Sequence, residues 1–216
     1  MTLYSKMSLG GFWGMLEGST VRIINPDMKN GVDGYTLIRN VNEIKRGDVI
    51  HNYDGHEAVV KSVIEMKFIG QMINVYEYKD VPLHENTPVF YKNKWVRVKY
   101  IPEAYPTKIK VNSIYNFVLQ DCGTISINDT VDVSILGNCG INDMYYGHQR
   151  VLEDIFEGRM YNKVYILGSD EYYEMIENEI YRHQYVYGHV ILKPDAFIVD
   201  EDERVSINHH AIKRVA

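Results

Sequence analysis

The amino-acid sequence predicts a mainly β protein that ends in a small α/β annex, and three observations predict this class. Apolar and polar residues alternate with a period of two over residues 57–77 and again over 114–135, which is typical of half-buried strands. Asn, Asp and Gly pairs interrupt the alternation where turns are expected. After residue 147 the apolar period changes to that of a helix. The predicted domains are therefore an N-terminal arm (1–14), a β domain (15–148) and an α/β annex (149–216).

Composition places the chain among soluble globular proteins. Its 216 residues are 45% hydrophobic, enough to bury a sizeable core. The net charge of -6 offers no basic face to nucleic acid. No run approaches the roughly 20 apolar residues of a membrane-spanning helix, and the first residues lack the pattern of a secretory signal. We expect a cytoplasmic protein, or a virion component if viral, that binds proteins or itself, without nucleic acid, membrane or cofactor.

The N-terminal arm shows no sustained period and carries two large apolar rings, Phe12 and Trp13. Such rings prefer a partner surface. We therefore predict a flexible arm with Phe12 and Trp13 as interaction residues.

Strands and turns then follow one another to the end of the β domain. The predicted elements are a turn at 18–19, strands with Val21 and Ile23 and at 35–37, a hairpin turn at 54–55, strands within 57–77, a polar turn at 84–87, a turn at 92–94, a strand from Trp95, a loop around Pro102 and Pro106, and hairpin strands as far as Ile135.

The annex is expected to mix both element types. The predicted elements are a helix at 148–158, a strand at 164–167, a helix capped by Ser169 or Asp170, and terminal strands separated by the charged run 200–203 as a solvated turn.

The chain has only two cysteines, Cys122 and Cys139, which fit neither a metal-ligand spacing nor a disulfide framework. We expect reduced thiols and no metal site. Cys139 directly follows Asn138, and an asparagine before a nucleophilic side chain is an arrangement that can cut or join peptide bonds. Asparagine also tolerates left-handed geometry in ordinary turns, and the turn is the favoured interpretation.

Five short blocks follow one another through the β domain: LEGSTV, IKRGDVIHNYDG, HENTPVFYKNKWVRV, IYNFVLQDCGTISIND and VSILGNC. Their order resembles the Hint superfamily, the self-processing domain of inteins and hedgehog C-terminal regions. The blocks IYNFVL, ILGNCG and YYGHQRVLEDI are similar to those of Hint domains found beside von Willebrand A domains. The resemblance implies a flattened β horseshoe with pseudo-twofold halves.

The resemblance also implies a catalytic nucleophile at Met15, where the family has Cys, Ser or Thr. A thioether has no proton to lose and cannot hold an acyl group reversibly, so the first step of self-processing is chemically unavailable. Cys122 could replace it only if the fold brings its thiol to the Gly14–Met15 peptide bond. Otherwise it is a small buried hydrophobe.

The Thr-x-x-His turn of the family falls on residues 84–87 with its two residue types exchanged. Thr87 stands where a histidine would donate to or protonate the scissile amide. His84 is a catalytic candidate if it reaches the amide from the other side of the turn, and a solvated loop histidine is the favoured interpretation. Asn138 stands where another family histidine is expected.

We therefore expect a Hint-like domain that has lost self-processing and is not an active enzyme. It would serve as a structural or protein-interaction module, for which a virus or phage particle is a suitable setting. The alternative is residual self-cleavage or splicing through Asn138 and Cys139, or through a displaced Cys122.

Overall fold

A computed structural model describes residues 13–25, 36–52, 54–120, 123–135, 163–167, 189–192, 197–199, 205–207, 210 and 212–214. The described residues are mainly β, which confirms the predicted fold class. The strands are β1 (Met15–Leu16), β2 (Thr20–Ile24), β3 (Thr36–Asn40), β4 (Val49–His51), β5 (Glu57–Tyr78), β6 (Val81–His84), β7 (Pro88–Tyr91), β8 (Lys94–Arg97), β9 (Tyr105–Leu119), β10 (Thr124–Ile127), β11 (Val131–Ser134), β12 (Lys163–Leu167), β13 (His189–Leu192), β14 (Phe197–Val199), β15 (Val205–Ile207) and β16 (Ile212–Arg214).

Two long antiparallel strands, β5 and β9, form the centre of the largest sheet, and their pairing extends from Val60↔Leu119 to Glu77↔Tyr105. The sequence predicts several strands over 57–77, whereas the chain forms the single 22-residue strand β5. Register shifts after Val60 and after Lys67 bend it instead. Bulges of this kind change the strand direction without ending the strand, which the alternating pattern does not reveal.

Tight turns connect the hairpins, and several use residues with positive φ. Lys79 and Asp80 join β5 to β6, and Lys92 and Asn93 join β7 to β8, all with φ between 49° and 63°. Positive φ at both central residues matches the twist of a two-residue hairpin. The predicted turns at 54–55, 84–87 and 92–94 are confirmed.

The hydrophobic core lies where the small four-stranded sheet β10-β11-β7-β8 meets strands of the large sheet. Two short 3-10 helical turns, Val41–Glu43 and Val98–Tyr100, each contribute one buried valine. The core side chains at or below 1% exposure include Ile23, Val41, Ile50, Val60, Leu83, Val98, Phe117, Ile125, Ile127 and Val133. Alternate residues supply this core from strands such as β2, as the period of two predicts, whereas the second half of β9 is buried continuously.

The C-terminal strands continue the large sheet. Strand β12 pairs in parallel with β5, and β13 pairs in parallel with β12 and antiparallel with β16. Strands β14 and β15, which flank the charged run 200–203, pair with each other. The strand predicted at 164–167 is confirmed. The two predicted helices and the domain boundary after residue 148 lie outside the described residues.

Candidate functional site

The peptide bond between Gly14 and Met15 lies inside the sheet. Met15 pairs with Leu83 of β6 on one side and with Tyr115 of β9 on the other. Its side chain is 1% exposed. The sheet therefore fixes this junction at the place where the Hint resemblance locates a scissile bond.

Thr87 reaches the carbonyl of this junction. Its Oγ1 donates a hydrogen bond of 3.2 Å to the Gly14 carbonyl oxygen. The turn that carries Thr87 is closed by its own N–H, which donates to the His84 carbonyl at 2.8 Å, and the Val98 N–H donates to the Thr87 carbonyl at 2.9 Å. The structure thus brings together two of the predicted site residues, Met15 and Thr87, on one peptide bond.

Trp13 precedes the junction and is anchored within its own chain. The ring is 4% exposed, and its Nε1 donates to the Ser134 carbonyl at 3.0 Å. The Asn116 side-chain amide donates to the Trp13 carbonyl at 2.9 Å. Burial leaves this ring little surface for a partner, so the predicted interaction role stays a prediction for Phe12, which lies outside the described residues.

Gly14 approaches the neighbouring strand very closely. A Cβ at this position would lie 2.3 Å from the Tyr115 carbonyl oxygen and 3.0 Å from its carbonyl carbon. Both are backbone atoms of a paired strand, so they cannot rotate away. The close packing of β1 on β9 therefore requires glycine immediately before Met15.

His84 is buried and does not project into solvent, which corrects the sequence interpretation. The residue is 2% exposed, and its Nδ1 accepts a hydrogen bond of 3.4 Å from the Asn86 N–H. Burial, followed by the positive charges of Lys99 and Arg97, lowers the pKa of His84 to about 4. A polar turn seen only in sequence does not reveal that β6 and the residues after it enter the core.

The Asn86 side chain accepts hydrogen bonds from the two cationic side chains near His84. Its Oδ1 accepts from Lys99 Nζ at 2.8 Å and from Arg97 at 3.3 Å. Because the amide oxygen carries no full charge, it does not cancel the charges of Lys99 and Arg97, which act on the imidazole. A neutral His84 avoids placing a third cation there.

We expect the protein to lose stability as the pH falls from about 6.5 to about 4. The folded pKa of His84, about 4, lies below its unfolded value, so the unfolded chain binds more protons in this window and the stability falls by about 3 kcal/mol. Urea unfolding across this pH range measures the loss. His84→Asn keeps an acceptor for the Asn86 N–H but does not titrate, so its pH slope should be smaller. Equal slopes in both proteins would contradict the assignment.

Sequence reasoning did not identify Asn116 and Glu65 as residues of this region. Asn116 is 0% exposed within the buried run Ile114–Leu119 of β9. Asn116 is a polar residue inside the apolar run 114–119. This pattern could have indicated a buried hydrogen-bonding role, because a buried polar side chain needs buried partners. Glu65, 3% exposed, lies on β5 among alternating residues that gave no such signal.

Glu65 is the centre of a buried polar cluster next to the junction. Its Oε1 accepts from Ser113 Oγ at 2.8 Å and from Tyr115 OH at 3.0 Å. Lys67 and Lys163 form ion pairs with its carboxylate, the latter at 2.5 Å. Burial and the Glu65 charge raise the pKa of Tyr115, which therefore remains a hydrogen-bond donor.

The other predicted site residues, Cys122, Asn138 and Cys139, lie outside the described residues. Within the described ranges, no group of three or more His, Cys, Asp or Glu side chains could hold a metal ion. No helix in the same ranges is long and apolar enough to cross a membrane.

The solved structures to which this chain is similar include inteins and an intein-like domain. The bacterial intein-like domain from Clostridium thermocellum is 13% identical with a TM-score of 0.43, over 57% of this chain and 99% of that one. The gp41-1 intein is 12% identical with a TM-score of 0.37, over 57% and 98%. The MchDnaB-1 intein is 10% identical with a TM-score of 0.35, over 57% and 99%.

The likeness to these structures concerns the fold alone. No protein-family model matches the chain, and no curated protein matches it.

Proposed function

We propose that this chain is a Hint-like module that keeps the Gly14–Met15 peptide bond intact and serves as a structural or protein-interaction domain. The observation that carries the proposal is the buried Met15 side chain, 1% exposed, beside a carbonyl bonded to Thr87. The Thr87 hydroxyl polarises that carbonyl, but a thioether cannot attack it. A site with the carbonyl contact and without the attacking atom is suited to hold the junction.

The contacts of Trp13 support a holding role. Its ring donates a hydrogen bond to Ser134 of β11, and its carbonyl accepts a hydrogen bond from Asn116 of β9. Each of these buried hydrogen bonds contributes about 1 kcal/mol, and the buried ring adds the burial of a large apolar surface. These contacts therefore hold the residues just before the Gly14–Met15 bond against the β domain.

Intact-mass spectrometry of the purified chain tests the proposal. We expect a single intact mass after days of incubation, with or without dithiothreitol, a thiol that cleaves thioesters. A fragment ending at Gly14 would contradict the proposal. A fragment ending at Asn138 that disappears in Asn138→Ala would support residual autoprocessing instead.

A variant with the missing chemistry restored provides the positive control. Met15→Cys supplies a thiol, and the exchange His84→Thr with Thr87→His restores the family order of the turn. The thiolate would attack the Gly14 carbonyl carbon, the C–N bond would break as the introduced imidazole protonates the amide nitrogen, and dithiothreitol would release residues 1–14. The same exchange with Met15→Leu has no nucleophile and should stay whole. Cleavage of the Leu variant would show a route independent of residue 15.

A further inference from the structure

Strand β3 forms one end of the large sheet. It pairs with β2 from Thr20↔Asn40 to Ile24↔Thr36, and no strand among the described residues covers its other edge. Leu37 is 43% exposed and Ile38 is 63% exposed, on opposite faces of the strand. An open edge with apolar side chains on both faces is a template for pairing with another strand.

A second open edge in the described part of the molecule makes a useful comparison. Residues 105–112 of β9 pair with β5 on one side only, because β1 contacts β9 at Ile114 and Tyr115. That edge carries Pro106, which lacks an N–H, and the lysines Lys108 and Lys110. Proline and lysine are residues that protect edges from pairing, so this edge is blunted.

The β3 edge has no such protection. Its one charged residue, Arg39, forms an ion pair of 3.3 Å with Asp48 of the same chain. Thr36, Leu37, Ile38 and Asn40 are uncharged, and every residue of the strand has a backbone N–H. Charge therefore does not oppose the approach of an identical strand, as it would along Lys108 and Lys110.

We infer that β3 pairs antiparallel with β3 of a second copy of this chain, about a two-fold axis at Ile38. This register places Ile38 opposite Ile38, Leu37 opposite Arg39, and Thr36 opposite Asn40. It contains no like-charge pair, and two β-branched side chains meet at the axis, which is a favourable cross-strand pair. An isologous contact of this kind closes on itself as a dimer.

The pairing also completes the core of each copy. Leu37 is aligned with Ile23 of β2, which is 0% exposed, so Leu37 lies at the rim of the same buried face. In the dimer the aliphatic stem of Arg39 from the second copy covers Leu37, while its guanidinium stays with Asp48. Apolar surface exposed in the monomer is thus removed from water in both copies.

The dimer should be weak and dependent on concentration and salt. A pair of five-residue strands buries less than the roughly 1,200 Å² of a stable interface. Each copy carries a net charge of -6, so the copies repel at low ionic strength, and added salt screens this repulsion. The β3 edge is separate from the Gly14–Met15 junction, so the dimer can be tested independently of the proposed function.

Sedimentation of the full chain over a range of concentrations and salt tests the inference. We expect the weight-average mass to rise from 25.1 kDa towards twice that value, more readily at high salt. Ile38→Lys places two cations opposite each other at the axis and should keep the chain monomeric. Met72→Lys is the matched control, because Met72 is 60% exposed on β5, and it should associate as the wild type does.

Three results would overturn the inference. They are a wild-type chain that stays monomeric at every concentration and salt, association of Ile38→Lys equal to the wild type, and equal loss of association in Met72→Lys. Hydrogen exchange of the wild type provides a readout that needs no variant. The outward-facing amides of residues 36–40 should gain protection as the concentration rises, and a rise in mass without that protection would also exclude the β3 contact.

Discussion

Gly14→Ala should destabilise the protein by about 3 kcal/mol or more. The new methyl group would lie 2.3 Å from the Tyr115 carbonyl oxygen, well inside contact distance. That oxygen belongs to a strand paired with β5 through Glu65↔Tyr115, so relief requires β1 to move away from β9. Such a movement would also break the Thr87 hydrogen bond to the Gly14 carbonyl and loosen the anchored Trp13. Urea unfolding followed by tryptophan fluorescence measures both effects.

Gly18→Ala is the control for the loss of a glycine. Gly18 has a φ of +87°, and a Cβ there would meet nothing within 4 Å. The substitution therefore adds backbone strain of about 1 kcal/mol without a collision. If Gly14→Ala were no more destabilising than Gly18→Ala, the close approach of β1 to β9 would be refuted.

The fold class could be predicted because strands leave a local signature. The alternation over 57–77 and 114–135 depends only on neighbouring residues, as do the turn at 92–94 and the short strand at 164–167. The burial of His84 could not be predicted in the same way. It depends on strand order, which places β6 next to β1 and β5, and no local pattern records that order.

The sequence resemblance named residues for the candidate site, and it could not give their contacts. Counting along the Hint-like blocks singled out Met15 and Thr87 in sequence. The hydrogen bond from Thr87 to the Gly14 carbonyl, however, joins residues that are 73 positions apart. The partners of Trp13 are still more distant, at separations of 103 and 121 residues. Residue type gives the chemistry of each position, whereas only the packed sheets show which groups act on the same bond.

Glu65→Gln should destabilise the protein by about 3 kcal/mol at neutral pH. Gln keeps an acceptor for Ser113 and Tyr115 but removes the charge that Lys67 and Lys163 share. Their side chains are 22% and 26% exposed, so solvent screens them only in part and the two cations repel each other. Lys163 lies on β12, the strand that pairs in parallel with β5. The backbone amides of β12 should therefore exchange faster in Glu65→Gln than in the wild type.

The difference in unfolding free energy between the wild type and Glu65→Gln should depend on pH, and this dependence identifies the Glu65 charge as its cause. Burial alone would raise the pKa of Glu65, but the charges and hydrogen bonds of Lys163 and Lys67 outweigh it and lower the pKa to about 2. The unfolded value is about 4.3, so between these values the unfolded chain binds more protons and the stability from Glu65 is lost as the pH falls. The gap between wild type and Glu65→Gln in urea unfolding should therefore be full above about pH 5 and should shrink towards pH 2. A gap that stays constant over this range would mean that Gln disturbs packing, and that the buried ion pairs contribute little to joining β12 to the sheet.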